Sequence, residues 1–171
     1  MEIVVRTDEH WPNDVERIIR ALPEWFELEE PVLEYVRAAH VLPSFAAFDG
    51  DRVVGVCLVR HHTAVASEIE LLAVPPELHR WGIGRRLVGR VVEDLRRAGV
   101  ELLQVKTFGP SGDSAEYELT RAFYAALGFL PLEERTDIWG PENPCLISVK
   151  PLRPLTAGDA RKRSRVGTSA P

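Results

Sequence analysis

A chain of 171 residues is long enough for one domain with a substantial core, or for one domain and a tail. With 45% hydrophobic and 27% charged residues it has the balance of a soluble globular protein, with no apolar run long enough to span a bilayer and no secretory pattern at its start. Two cysteines, Cys57 and Cys145, are too few for a disulfide framework or a zinc site, so a reduced, cytoplasmic protein of net charge −5 is expected.

Met1 to Arg6 reads as a first strand. Asp8 or Asn13 is placed to cap the helix that follows, with Pro12 near its start, Val15, Ile18, Ile19 and Leu22 on its buried side, and Pro23 ending it. A second helix fits Glu30 to Ala39. In the connection, the adjacent aromatics Trp25 and Phe26 read as residues that close the core. Ser44 to Phe48 and Arg52 to Arg60 form a hairpin about Asp49-Gly50. His61 and His62 are neighbours, but adjacent strand residues face opposite ways and no further ligand stands at a recognisable spacing, so no metal is expected.

The stretch from Ser67 to Ala98 organises the rest. Glu68 to Val74 alternates, which predicts a strand with Glu68, Glu70, Leu72 and Val74 on one face and Ile69, Leu71 and Ala73 on the other. Pro75 and Pro76 end it. From Gly82 the period changes: Ile83, Leu87, Val91 and Leu95 recur every four residues, as on the buried face of a helix, and Ala98-Gly99 closes it. Between strand and helix lies Leu78-His79-Arg80-Trp81-Gly82-Ile83-Gly84-Arg85. Gly82 and Gly84 allow positive φ and close approach of a ligand, and the helix start leaves N–H groups unpaired with about half a positive charge. Arg80, Arg85 and Arg86 crowd that end, where cations are unfavourable unless an anion is bound, so the loop reads as a phosphate site, the alternative being a glycine-rich turn with solvated arginines. It is neither a Walker A loop, having no G-K-[ST], nor a dinucleotide fingerprint, because Leu87 stands at the third small position.

After this helix come a strand from Glu101 to Phe108, a helix from Ala115 to Leu127 ending at Gly128, and strands at 129–135 and 145–150. From Leu152 to Pro171 the composition shifts. Five basic residues against Asp159 give this stretch +4, so the body carries −9 of the net −5. A disordered basic tail is expected beyond a domain of residues 1–151, with nucleic acid an improbable partner for it.

The segment His79-Arg80-Trp81-Gly82-Ile83-Gly84, between a strand and a helix, resembles motif A of the GNAT superfamily of N-acetyltransferases, [Q/R]-x-x-G-x-[G/A], with His79 at the Gln/Arg position. Downstream, Ala122-Phe123-Tyr124-Ala125-Ala126-Leu127-Gly128-Phe129 resembles the family's second signature, in which a helix carrying F/L-Y ends at G-F. Tyr117 and Thr120 stand where that helix usually has Asn and Ala. The resemblance covers about residues 1 to 151. It implies a mixed, twisted α/β sheet of six or seven strands, helices on both faces, splayed after the fourth strand. It further implies transfer of an acetyl group from acetyl-CoA, without a metal, to a primary amine on a small molecule or a protein, by a monomer or homodimer.

On that resemblance, Tyr124 is the general acid toward the leaving thiolate and Glu68, eleven residues before His79, the general base, with Glu70 or water as alternatives. Leu72, Ala73 and Val74 present backbone to the acetyl group and pantetheine arm. His79, Arg80, Trp81, Gly82, Ile83, Gly84 and Arg85 hold the pyrophosphate. Trp25, Phe26 and Glu70 flank the acceptor, and Glu68 with Glu70 would attract a cationic amine. Two other readings are a non-catalytic acyl-CoA-binding module and a nucleotide-binding module.

Overall fold

A computed structural model of the chain describes residues 2–7, 9–26 and 28–152. Seven strands form one sheet: β1 (Ile3–Arg6), β2 (Ser44–Asp49), β3 (Arg52–His61), β4 (Ala66–Ala73), β5 (Leu102–Phe108), β6 (Leu130–Arg135) and β7 (Cys145–Pro151). Their order is β1-β2-β3-β4-β5-β7-β6, and β4–β5 is the single parallel pair among them. Among the described residues four α-helices accompany the sheet, α1 (Pro12–Ile19), α2 (Glu29–Ala39), α3 (Ile83–Arg97) and α4 (Ala115–Ala126), with a single 3-10 turn at Pro76–Leu78.

The two faces of the sheet bury separate cores. Ile83, Leu87, Val88, Val91 and Leu95 of α3 pack with Cys57, Val59, Ile69, Leu103, Val105, Tyr124 and Phe129. Val15, Ile18 and Ile19 of α1 and Val32 of α2 pack with Ala46, Val56, Leu58, Leu71 and Ala73 on the other side. A Cβ on Gly55 would lie 2.8 Å from the Ile83 side chain and 3.2 Å from Leu87 and from Val74. The bare glycine therefore lets the start of α3 settle directly on the sheet beside the end of β4.

The expected alternation along β4 breaks at one place. Leu58 pairs with Leu71, but Val59 pairs with Ile69, so Glu70 is an extra residue in β4. This bulge reverses the faces beyond it: Ile69 lies in the α3 core, whereas Leu71 and Ala73 lie in the α1–α2 core. Ile69 is thus not on the face of Leu71 and Ala73, as strict alternation predicts. Beyond the same point β4 also leaves β5. Their pairing runs from Ala66↔Leu102 to Ile69↔Val105 and stops, so the sheet opens into a wedge between the ends of the two strands.

α1 begins at Trp11 with Pro12 in the first turn and no side-chain cap, so Asn13 does not cap it, and Asp8 lies outside the described residues. The tail boundary also moves. Leu152 is 1% exposed, belongs to the α3-side core, donates its N–H to the Glu101 carbonyl at 2.8 Å, and accepts from Arg96 Nε at 2.6 Å. It is therefore part of the body. The remainder of the expected tail, 153–171, lies outside the described residues.

This docking gives a test. Leu152→Ala should lower stability by about 2–5 kcal/mol, the usual cost of truncating a buried leucine, while a chain ending after Leu152 should melt with the full-length protein. Equal melting of Leu152→Ala and wild type in thermal denaturation would remove Leu152 from the core.

Candidate functional site

The wedge between β4 and β5 gathers most of the residues singled out from the sequence. At its closed end, Glu68 is 4% exposed, in register with Arg60 of β3 and Gln104 of β5. Its Oε2 accepts from Gln104 Nε2 and His62 Nε2, each at 2.6 Å, and from Lys106 Nζ at 3.1 Å; its Oε1 accepts from Lys106 Nζ alone, at 3.0 Å. Burial acts against the charge of this carboxylate, but the three donors together outweigh it and hold its pKa below the ordinary value. Glu70 is half-buried and held by Arg60 in a two-pronged pair of 2.8 and 2.9 Å. Neither carboxylate is thus an uncompensated negative charge. The attraction for a cationic amine expected from their charge is cancelled by Lys106 and Arg60.

Gln104 and Lys106 were not singled out from the sequence. Their signal was present: they alternate with buried Leu103 and Val105 along β5, which puts two polar groups on the face opposite the α3 core. The two histidines diverge. His61 Nδ1 meets Ser67 Oγ at 2.8 Å and His62 goes to Glu68. Among the described residues no group of three or more His, Cys, Asp or Glu side chains is placed to hold a metal.

Past Ile69, the β5-facing backbone of Glu70, Leu71, Leu72 and Ala73 has no strand partner. Leu72 is half-buried on the α3 side, whereas Ala73 is buried in the opposite core. The Val74 carbonyl is not free, as an open strand end would have it, because His79 Nε2 donates to it at 2.8 Å. His79 thereby fastens the loop back onto the strand that it leaves.

The loop itself bends through two left-handed residues, Arg80 at φ 67° and Gly82 at φ 80°. Gly82 is the N-cap of α3, with no side-chain cap and no acidic residue in the first turn. The first N–H groups of α3 are therefore unsatisfied by the helix itself. A Cβ on Gly82 would meet nothing within 4 Å, so its glycine answers the backbone twist and faces open space. Gly84 differs: a Cβ there would sit 3.2 Å from the Phe123 ring, so it also allows α3 and α4 to approach. Arg80 and Arg85 are exposed and hold no ion pair among the described residues, Trp81 is 62% exposed, and Ile83 is buried in the core.

α4 packs beside β5 and, through Phe123, against Gly84 at the start of α3. Tyr124 is its one buried residue, 6% exposed, ringed edge-on by Phe123 and Phe129 at 5.2 Å each. Its hydroxyl makes no hydrogen bond among the described residues, and burial pushes its pKa well up, so the phenol keeps its proton. On β5, Thr107 Oγ1 is buried and likewise has no partner among the described residues. On the α1–α2 side, Trp25 Nε1 donates to Thr120 Oγ1 at 3.3 Å and its ring meets His79 at 6.0 Å. Phe26 stands edge-on to Tyr35 at 5.6 Å, while Tyr117 stacks at a tilt on Phe108 at 5.4 Å.

Known proteins share this fold. Residues 9–129 match the model of the acetyltransferase (GNAT) family. Among solved structures, a GNAT-family protein from Desulfovibrio desulfuricans superposes with TM-score 0.73 at 23% identity, covering 89% of this chain and all of its own. An aminoglycoside 6'-N-acetyltransferase complexed with coenzyme A gives 0.71 at 19% identity over 91% of this chain and 99% of its own. A Salmonella typhimurium protein solved with its cofactor acetyl-CoA gives 0.66 at 15% identity over 94% and 99%. No curated protein matches the sequence. At these identities the structures share the fold, while the family match spans most of the chain: the protein belongs to the GNAT acetyltransferase family.

Proposed function

We propose that the protein transfers the acetyl group of acetyl-CoA directly to a primary amine. The observation that carries this is the wedge itself. An uncapped helix start with two free arginines stands at one end, unpaired β4 backbone runs along it, and the chain supplies both a buried protonated phenol, in the α3-side core, and a buried carboxylate. The first turn of α3 and the backbone from Arg80 to Arg85 hold the pyrophosphate. The open edge of β4 from Glu70 to Ala73 takes the amide groups of the pantetheine arm, as a strand edge takes a peptide. Thr107 Oγ1 is a further polar group on the opposite wall that lacks a partner, a state costing about 1–3 kcal/mol until one arrives.

In the reaction, the neutral amine nitrogen attacks the acetyl carbonyl carbon, the new C–N bond forms and the C–S bond breaks. The proton lost from nitrogen goes to Glu68 and the thiolate is quenched by Tyr124. Glu68 is suited to this at Oε1, which accepts from one donor only, while Oε2 is linked to exposed His62 and so to solvent. Glu70, by contrast, has both oxygens engaged by the guanidinium of Arg60. Tyr124 is protonated at working pH and its hydroxyl is uncommitted, which leaves it free to meet a developing thiolate. A non-catalytic acyl-CoA-binding module would have no use for this pair.

Coenzyme A should raise the melting temperature by binding the native state alone. Gly82→Asp should lose most of that rise through a negative charge at the helix start, whereas Gly82→Asn, which tolerates left-handed φ and carries no charge, should keep more of it. A full response from a folded Gly82→Asp variant would overturn the phosphate-loop assignment.

Tyr124→Phe should reduce kcat on the order of 10²-fold. The coenzyme-induced shift and the stability should barely change, since the hydroxyl has no hydrogen bond to lose. Wild-type turnover in this variant, measured by thiol release, would exclude the tyrosine as acid.

Glu68 links stability to pH in a defined sense. Its folded pKa lies below the unfolded value of about 4.3, so its contribution is complete above that value and disappears as pH falls through the folded value. The gap in melting temperature between wild type and Glu68→Gln should therefore be widest near neutrality and narrow on acidification to about pH 3. A gap independent of pH would show that the carboxylate is not held ionised.

A further inference from the structure

The acceptor side of the wedge has a chemistry of its own. Two aromatic pairs flank it. Phe26 and Tyr35 come from the α1–α2 connection and α2, and Tyr117 and Phe108 come from α4 and the end of β5. The pairs are brought together by Trp25, the neighbour of Phe26, which donates to Thr120, one helical turn from Tyr117. Phe26, Tyr35, Tyr117 and Phe108 are each half-buried, so each retains ring surface for a ligand. Burial pushes the Tyr35 phenol up to about 12, and raises Tyr117 as well, so both walls are neutral hydrogen-bonding rings. Beneath them the carboxylates are matched one to one, Glu70 with Arg60 and Glu68 with Lys106. A polycation gains little from such a site, because each of its charges would have to displace a cation already in place.

Resting on the acetyltransferase reading above, we infer that the acceptor is an aryl-alkyl amine: one primary amine, aimed at Glu68, on a flat aromatic body held between Tyr35 and Tyr117. The ring supplies the area and edge-to-face contacts that these walls offer. The lone amine asks for one proton acceptor and no further negative charge. The transfer is the one already written, giving the N-acetyl aryl-alkyl amine and coenzyme A thiol.

The test is an acceptor series with acetyl-CoA, using 2-phenylethylamine, n-butylamine, spermidine, kanamycin and a short unmodified peptide, with kcat/KM read by thiol release. The coenzyme A shift in melting temperature is measured on the same preparation. 2-Phenylethylamine should exceed n-butylamine and spermidine by on the order of tenfold, the scale of one aromatic contact set. Tyr117→Leu should shrink the ratio of 2-phenylethylamine to n-butylamine several-fold while leaving the coenzyme shift in place. A higher kcat/KM for spermidine, kanamycin or the peptide would overturn the aryl-amine assignment and leave the acetyltransferase reading standing. So would coenzyme binding with no turnover of 2-phenylethylamine, or a ratio unchanged in Tyr117→Leu. Absence of any coenzyme shift would instead defeat the acetyltransferase reading, and this assignment with it.

Discussion

Everything at the site depends on two strands ceasing to pair. A parallel ladder between β4 and β5 would satisfy the backbone of both along their whole length, yet it ends at Ile69 and Val105. The physical cause lies one residue further on. Glu70 is an extra residue against β3, and a bulge of this kind bends its strand and increases its twist. β4 is thus carried away from β5 while its other edge stays bound to β3. The unpaired edge faces a gap rather than bulk interior, which is why it can remain open without the cost of buried, orphaned amides. α4 packs beside β5 and buries a single residue, Tyr124.

The same bulge sets the electrostatics. With the faces reversed beyond Ile69, Glu68 and Glu70 both meet cations on the α1–α2 side of the sheet and neither enters the α3 core. A carboxylate as buried as Glu68 would ordinarily be driven toward its neutral form. Three donors from β5 and the β3–β4 turn reverse that, so the charge persists in a site almost closed to water. Such a network adds little net stability, because desolvation offsets much of the attraction. Its consequence is positional: Glu68 is fixed with Oε2 tied to an exposed histidine and to Gln104, and with Oε1 held by Lys106 alone.

Much of this was legible in the sequence because it is local. Period-two and period-3.6 patterns fixed the strands and helices, Asp49-Gly50 the hairpin, and Gly82 the left-handed start of α3. The wedge, the sheet and the family followed from two motifs in the right order. What escaped was long-range or depended on register. One inserted residue reverses a face, and no propensity marks Glu70 as that residue. Lys106 and Gln104 reach Glu68 only once a parallel register is chosen across 36 or more residues. Leu152 looked like the start of a polar tail because the run that follows it is polar, whereas its own docking depends on β5 and α3 lying beneath it.

Two departures from the family pattern, His79 and Thr120, lie 41 positions apart yet share a partner. Trp25 donates its indole N–H to Thr120 and sets its ring against His79, while His79 secures the Val74 carbonyl. An alanine at 120 could not accept that hydrogen bond, and the indole N–H would then need another partner. A long, flexible glutamine or arginine at 79 would present no ring for Trp25 to meet edge-on. These substitutions are therefore parts of one contact. It ties the α1–α2 connection, which also carries Phe26, to the loop before α3 on one side and to the helix of Tyr124 on the other. The two halves of the wedge are joined by a tryptophan rather than by continuous sheet, so the gap keeps its width without β4 and β5 having to pair.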